Sequence, residues 1–187
     1  MPPLRERVTP AKLFRMSTRA ATPDDVPALA RTINAAYLAE AFFVAGPRTT
    51  EGELRAMLAH PDGAFLVVDD DAPGAIAGAI AGAVYVERRG ARGYFGMLSV
   101  DPARQGGGLG RRLVGAAESW CRAAGCRFLD LSVVDLRADL APFYAALGFA
   151  PYATAPFPQP DRLTRPAHLV LLTKPLAGLW GGAGAHG

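Results

Sequence analysis

The sequence contains few cysteines, few histidines and little net charge. Among its 187 residues are two cysteines and three histidines, and the formal net charge is +3. Cys121 and Cys126 form neither a CxxC pair nor a Cys/His cluster, and the histidines lie far apart, so we expect no metal site. The two thiols are interpreted as buried or half-buried side chains in a reducing compartment.

Long apolar runs are also absent, and none approaches the ~20 residues that a membrane-spanning helix needs. Residues 1–15 are charged and lack the apolar stretch of a secretory signal. The arginines are scattered rather than gathered into a basic stripe, which argues against nucleic acid as a partner. These absences predict a cytoplasmic protein that binds neither membranes nor nucleic acids.

The composition is that of a folded domain with a sizeable core. Hydrophobic residues make up 50% of the chain and charged residues 20%, which is ordinary for a globular protein. We expect one domain over residues 16–176, a disordered extension over 1–15 and a flexible Gly/Ala-rich tail over 177–187.

Hydrophobic periodicity predicts a mixture of helices and strands. Helices are expected at about 22–38, 50–59, 109–124 and 138–147, and strands at about 18–21, 64–68, 76–87, 93–100, 128–134 and 168–173. Short connections predict that the three successive strands within residues 64–100 pair antiparallel. The helix between the strands at 93–100 and 128–134 predicts that those two strands are parallel. Residues 151–167 hold five prolines, so we predict a long loop with at most short edge pieces there.

A glycine-rich turn joins the predicted strand at 93–100 to the helix that follows it. Gly106–Gly108 and Gly110 leave backbone N–H groups open to a bound anion, and the helix adds the positive end of its dipole. The dinucleotide fingerprint would need glycine where Arg111 or Leu113 stands, and the nucleotide-triphosphate loop would need a lysine followed by serine or threonine. The turn therefore predicts a phosphate site that follows neither of these motifs.

Several segments resemble the GNAT N-acetyltransferase superfamily. The run Gln105-Gly106-Gly107-Gly108-Leu109-Gly110 matches that superfamily's pyrophosphate-loop pattern, Gln/Arg-x-x-Gly-x-Gly/Ala. The run Pro142-Phe143-Tyr144-Ala145-Ala146-Leu147-Gly148-Phe149 resembles its closing helix, usually written FYxxLGF. Met97–Pro102 and Arg19–Asp25 are similar to its central strand exit and its opening, in the right order along residues 17–175.

The resemblance implies an α+β fold, with a mixed, mostly antiparallel sheet of six to seven strands and four helices. The fourth and fifth strands of such a sheet are parallel and splay apart to admit acetyl-CoA, the cosubstrate. The resemblance also implies that the strand backbone at Leu98, Ser99 and Val100 contacts the pantetheine arm and the thioester. The residues implied around the pyrophosphate are Gln105, Gly106, Gly107, Gly108, Leu109, Gly110, Arg111 and Arg112. No metal is implied.

Acetyl transfer to an amine requires groups that move protons. An alkyl ammonium has a pKa of about 10.4, so the enzyme must accept a proton from the amine. Tyr144 stands where similar proteins place the acid that protonates the departing thiolate, and the alternative is a packed aromatic residue that only orders CoA. The central strand lacks the glutamate that many relatives carry, so Glu87 is the first candidate base, Asp135 the second, and an ordered water chain a third route.

The acceptor side is expected around residues 39–49, where relatives shape that part of the site. Glu40 suits a cationic amine and Arg48 a carboxylate, whereas Phe43, with its neighbour Phe42, either packs on the core or lines a pocket. Pro156-Phe157-Pro158 is expected to form the opposite wall.

The function that these features favour is transfer of an acetyl group to a primary amine on a small or amino-acid-like acceptor, by direct attack in a ternary complex. Three alternatives stay open: acetylation of a protein N-terminus or lysine, a non-catalytic CoA-binding regulatory module, and a phosphate-binding domain unrelated to CoA. Dimers are common among similar proteins, so a homodimer is one candidate state.

Overall fold

A computed structural model describes residues 17–176, so the predicted extension at 1–15 and the tail at 177–187 lie outside the described residues. The strands are β1 (Thr18–Ala20), β2 (Gly63–Asp69), β3 (Ile80–Arg89), β4 (Arg92–Val100), β5 (Phe128–Val134), β6 (Ala150–Pro156) and β7 (His168–Pro175). The α-helices are α1 (Val26–Tyr37), α2 (Glu51–Leu58), α3 (Leu109–Ala123) and α4 (Leu140–Ala146). Short 3-10 turns lie at Pro23–Asp25, Leu38–Glu40, Pro102–Arg104 and Pro160–Arg162.

The strands form one seven-stranded sheet in the order β1-β2-β3-β4-β5-β7-β6. Neighbouring strands are antiparallel except for β4 and β5, which are parallel. The helix α3 connects that parallel pair, as a crossover between parallel strands requires. The predicted mixed, mostly antiparallel sheet with four helices is confirmed for the described residues.

Helix starts follow local hydrogen bonding. Thr50 caps α2, because its hydroxyl accepts from the Glu53 N–H at 3.3 Å while the Glu53 carboxylate accepts from the Thr50 N–H at 2.8 Å. At the first helix, the Asp25 carboxylate accepts from the Thr22 N–H at 2.7 Å. Pro23–Asp25 form a 3-10 turn, so α1 begins at Val26, four residues after the predicted start at about residue 22.

The hydrophobic core lies on both faces of the sheet. Successive residues of β3 point to opposite faces, so Ala83 packs in the cluster that contains Leu29 of α1, whereas Val84 packs in the cluster that contains Leu113 of α3. All four side chains are fully buried. The helices α1 and α3 therefore cover opposite faces and hold the central strands β3 and β4 between them.

Two expectations about strands are wrong. The strand predicted from residue 76 begins at Ile80, and Ile76 is 80% exposed in the turn before it. Ala150–Pro156, predicted as mostly loop, is the full-length edge strand β6. Proline cannot donate to a ladder, but an edge strand needs partners on one side only, so Pro151 and Pro156 are tolerated there.

Three general features of residues 17–176 bear on function. Each of their helices is too short or too polar to cross a membrane. Their His, Cys, Asp and Glu side chains form no cluster that could hold a metal ion. Cys121 and Cys126 are buried and free, and burial raises the pKa of the Cys121 thiol to about 12, which keeps it protonated and unreactive.

Candidate active site

The strands β4 and β5 diverge along their length. Ladder pairing joins Arg92–Tyr94 to Phe128–Asp130, although β4 continues to Val100 and β5 to Val134. A cavity of about 670 Å³ opens where they separate, and residues of both strands line it. This cleft confirms the predicted splay. Beyond Tyr94, the β4 backbone that faces β5 has no strand partner among the described residues.

A β-bulge redirects β4 within the cleft. Met97 and Leu98 together face the single residue Val84 of β3, and Met97 has a φ of 51°, in the left-handed region. Leu98, in the bulge, and Val100, beyond it, line the cleft. Ser99 is buried, and its hydroxyl donates to the Met97 carbonyl oxygen at 2.9 Å. A bulge leaves a backbone N–H group outside the ladder. A free N–H of this kind is the donor that an oxyanion requires.

The glycine-rich turn borders the cleft at the start of α3. Gly106 and Gly108 have φ values of 82° and 78°, and Gly108 is the N-cap of this 15-residue helix. Glycine is the residue that adopts these conformations without strain. The residues here that line the cleft are Gln105, Gly106, Gly108, Leu109, Gly110 and Arg111. A diphosphate fits this arrangement, because the turn has no bulky side chains and α3 presents its positive end.

Tyr144 of α4 lies on the same cleft. It is 5% exposed, and its ring packs against Phe95, Phe143 and Phe149 at centroid distances of 6.1, 5.0 and 6.0 Å. Burial raises the pKa of its phenol, so the hydroxyl is protonated and able to donate at neutral pH. The Tyr144 hydroxyl makes no hydrogen bond with the described residues. It is also not among their buried atoms that lack a partner. It is therefore open to a ligand in the cleft.

Four charged side chains line the cleft from the loops next to α1 and α4: Glu40, Arg48, Arg137 and Asp139. We refer to them as the charged wall. Arg137 contacts Asp139 at 2.9 Å and lies 3.5 Å from Glu40. The guanidinium of Arg48 stacks over the Tyr37 ring at 4.7 Å. Burial raises the pKa of Glu40, and Arg48 and Arg137 oppose that shift.

Two loops beside the cleft are joined to each other: the α1–α2 loop (residues 38–50) and the β6–β7 loop (residues 157–167). Two backbone hydrogen bonds join them and form the antiparallel Val44–Leu163 bridge: the Ala45 N–H donates to the Arg162 carbonyl oxygen at 2.9 Å, and the Thr164 N–H donates to the Phe43 carbonyl oxygen at 2.9 Å. The side chain of Arg162 adds bonds to the Ala45 and Pro47 carbonyl oxygens at 2.9 and 2.5 Å. These bonds fix the loops as one unit.

Other candidate residues lie near the cleft without lining it. Phe43 is fully buried in a cluster with Val134 and Phe157, both of which line the cleft. It therefore packs behind residues that line the cleft and does not line it itself. Gly107, within the glycine-rich turn, and Arg112, in the first turn of α3, are exposed.

The two acids selected from the sequence as bases lie elsewhere. Glu87 pairs with Arg89 at 3.1 Å in the β3–β4 hairpin. Asp135 accepts from the His168 N–H at 2.9 Å and lies 3.2 Å from that side chain's Nδ1. Neither lines the cleft, whereas Glu40 does.

Tyr37 and Arg137 line the cleft but do not stand out in the sequence. Tyr37 reads as one more apolar position of α1. Arg137 falls in the polar connection between β5 and α4, and its one local signal is its place a few residues before the FYxxLGF run.

The fold is similar to those of solved acetyltransferases. One is the ribosomal-protein-S18-alanine N-acetyltransferase from Escherichia coli, which has a TM-score of 0.69 at 17% identity, over 91% of this chain and 99% of that one. Another is an aminoglycoside 6'-N-acetyltransferase complexed with coenzyme A, with a TM-score of 0.67 at 15% identity, over 86% and 97%. Nourseothricin acetyltransferase has a TM-score of 0.64 at 20% identity, over 86% and 98%. At these identities the likeness establishes the fold and not the acceptor.

A search of curated protein sequences finds no significant match. The model of the acetyltransferase (GNAT) family matches residues 33–149, which include the bulged strand, the glycine-rich turn and Tyr144. Since this match covers more than half of the chain and the fold agrees with it, the chain belongs to the GNAT family of acetyltransferases.

Proposed function

We propose that this GNAT N-acetyltransferase moves the acetyl group of acetyl-CoA to a primary amine on a small molecule, by direct attack in a ternary complex. The observation that carries the proposal is that one cavity of about 670 Å³ includes the glycine-rich turn, the bulged strand, Tyr144 and the charged wall. Both substrates can therefore reach the same reacting carbon, as direct transfer requires.

The cosubstrate half of the proposal assigns the diphosphate to the N–H groups of Gln105–Gly110, with Arg111 beside them. The pantetheine arm then runs along β4 at Leu98 and Val100, where the backbone edge lacks a strand partner on the β5 side. This path leads the thioester from the turn toward Tyr144.

The proton transfers follow from the groups that line the cleft. The neutral amine forms a bond to the acetyl carbon as the carbon–sulfur bond breaks. We assign Glu40 to take the ammonium proton, directly or through water, because it is a carboxylate on the cleft whose raised pKa makes it a stronger base than an exposed glutamate. A backbone N–H at the bulge stabilises the oxyanion, and Tyr144 donates its proton to the departing thiolate. The second proton that the nitrogen loses on becoming an amide returns Tyr144 to its neutral form through water.

The joined loops favour a small acceptor over a protein. A peptide passing between the α1–α2 loop and the β6–β7 loop would have to break the two hydrogen bonds of the Val44–Leu163 bridge and those of the Arg162 side chain. A small amine can enter the open cleft without this disruption.

The test is a binding and turnover experiment on the full chain. Isothermal titration should detect acetyl-CoA binding, with much weaker binding of ATP and NAD. CoA release should then accompany acetylation of at least one member of a panel of small primary amines, with the product identified by mass spectrometry. Binding without transfer to any amine or peptide would support the regulatory alternative, and transfer to peptides alone would support a protein acceptor.

A further inference from the structure

The charged wall contains a buried donor without a partner. Among residues 17–176, the Arg48 Nε is a buried side-chain nitrogen that makes no hydrogen bond. Arg137, the other arginine of the wall, is paired with Asp139 and lies near Glu40, whereas the ion pairs of the described residues do not include Arg48. Leaving a buried donor unpaired is costly, so such a donor calls for an explanation.

The surrounding residues hold Arg48 in place. The side chain of Asn34 forms two bonds of 3.0 Å with the backbone of Thr49, the next residue. Arg162 donates to the carbonyl oxygen of Pro47, the preceding residue, at 2.5 Å. The Tyr37 ring lies under the guanidinium. Because the position is fixed before any ligand arrives, a ligand need not order it.

The charges around Arg48 describe the ligand it fits. The two Nη groups of Arg48 make no hydrogen bond to the described residues and are not among their buried atoms, so they are open to the cleft. The N–H groups of a guanidinium form a fork that matches a carboxylate. Glu40 lines the same cleft as part of the charged wall. A molecule that carries both a carboxylate and an amine is complementary to this pair.

We infer that the acceptor is a small amino acid, whose carboxylate accepts hydrogen bonds from Arg48 while its amine lies toward Glu40. This inference rests on the proposed acetyl transfer to a small amine and specifies its substrate class. A peptide or an amino-acid amide lacks the free carboxylate next to the amine and leaves the Arg48 guanidinium without an anionic partner.

The experiment compares amino acids with their primary amides, which keep the side chain and remove the negative charge. Initial rates of CoA release give kcat/KM for each pair at saturating acetyl-CoA, expressed per concentration of neutral amine because amidation lowers the pKa of the amine. The variants are Arg48→Gln and Arg48→Lys. Arg165→Gln is the matched control, since Arg165 is an exposed arginine of the β6–β7 loop that does not line the cleft.

In the unaltered chain, kcat/KM should favour the acid over its amide by at least about tenfold. Arg48→Gln should lower kcat/KM for the acid by about ten- to a hundredfold, the range that a lost charge-assisted hydrogen bond produces, mainly through KM. The amide rate should fall less than the acid rate, so the acid-to-amide ratio should approach one, and Arg48→Lys should keep part of the preference. Acetyl-CoA affinity and the circular dichroism spectrum should match those of the unaltered chain.

Equal rates for acids and amides, or a preference that survives Arg48→Gln, would overturn the amino-acid assignment and leave acetyl transfer intact. If neither acids, amides nor other small amines are acetylated by protein that binds acetyl-CoA, the proposed function fails and this inference fails with it. If Arg48→Gln does not fold, the comparison rests on Arg48→Lys, and an unchanged acid-to-amide ratio in that variant counts against the inference.

Discussion

Replacing Tyr144 with phenylalanine removes one hydroxyl group from the cleft and leaves the aromatic ring in place. The ring contacts with Phe95 and Phe149 persist, and no hydrogen bond to a described residue is lost. The free energy of unfolding should therefore change by less than about 0.5 kcal/mol. Acetyl-CoA affinity should change by less than about threefold, because the proposed diphosphate contacts lie at the glycine-rich turn and do not involve this hydroxyl.

Turnover should respond far more strongly. Positioned acid catalysis contributes about 10²–10⁴ in rate, so kcat should fall by that factor, equivalent to about 2.7–5.5 kcal/mol of activation free energy. Burial raises the pKa of the Tyr144 phenol, so it is protonated across the neutral pH range and its ionisation should not limit activity there.

The assays are steady-state CoA release, single-turnover acetyl transfer and isothermal titration of acetyl-CoA, each on Tyr144→Phe and on the unaltered chain. Single-turnover measurements matter because slow product release would hide a chemical defect. A fall in kcat of less than about threefold would refute the acid role. An affinity loss as large as the rate loss would instead mean that Tyr144 only orders CoA.

Three further predictions concern stability. Gly108→Ala should destabilise by about 1–2 kcal/mol because its φ is 78°, whereas Gly107→Ala, outside the positive-φ region, should change stability by less than half as much in urea unfolding; equal losses would contradict this. The hydrogen bonds from Arg19 lower the pKa of Asp25 to about 2. Its charged form thus stabilises the fold above about pH 4, and this contribution is lost as the pH falls toward about 2. Asp25→Asn should cost about 1–2 kcal/mol at pH 7, after allowance for solvent screening of the half-exposed Arg19, and the cost should shrink in urea unfolding as the pH is lowered to about 3. A Cβ on Gly93 would lie 2.9 Å from the Cβ of Cys121, a buried residue of α3. Gly93→Ala should therefore destabilise the fold by about 1–3 kcal/mol in the same assay. An unchanged unfolding midpoint would count against tight packing at this position.

The sequence alone was sufficient for features that depend on neighbouring residues. The start of α2 follows from the Thr50–Glu53 pair, and the positions of Gly106 and Gly108 follow from the motif, because capping and left-handed backbone are decided within a few residues. The parallel direction of β4 and β5 followed from the helix between them. The glycine-rich turn and Tyr144, placed on one cleft by the fold, were identified by motif.

The sequence was less informative where a side chain's surroundings depend on distant parts of the chain. Glu87 was the first candidate base because it stands near a strand end, but the sheet places it beside Arg89 on the hairpin. The prolines of β6 predict a loop, but a strand with prolines is tolerated at this position because β6 lies at the edge of the sheet.

Only the tertiary structure brings Glu40 and Arg137 together, from segments almost a hundred residues apart. It also determines that the Arg48 Nε is buried without a partner, through Asn34, Tyr37 and Arg162 around it. Local propensity carries no information about such contacts, because they form only when separate helices, strands and loops pack against one another. The residues proposed for the cosubstrate, and Glu40 and Arg48 on the proposed acceptor side, could therefore be selected from the sequence, whereas the contacts among them were decided by the fold.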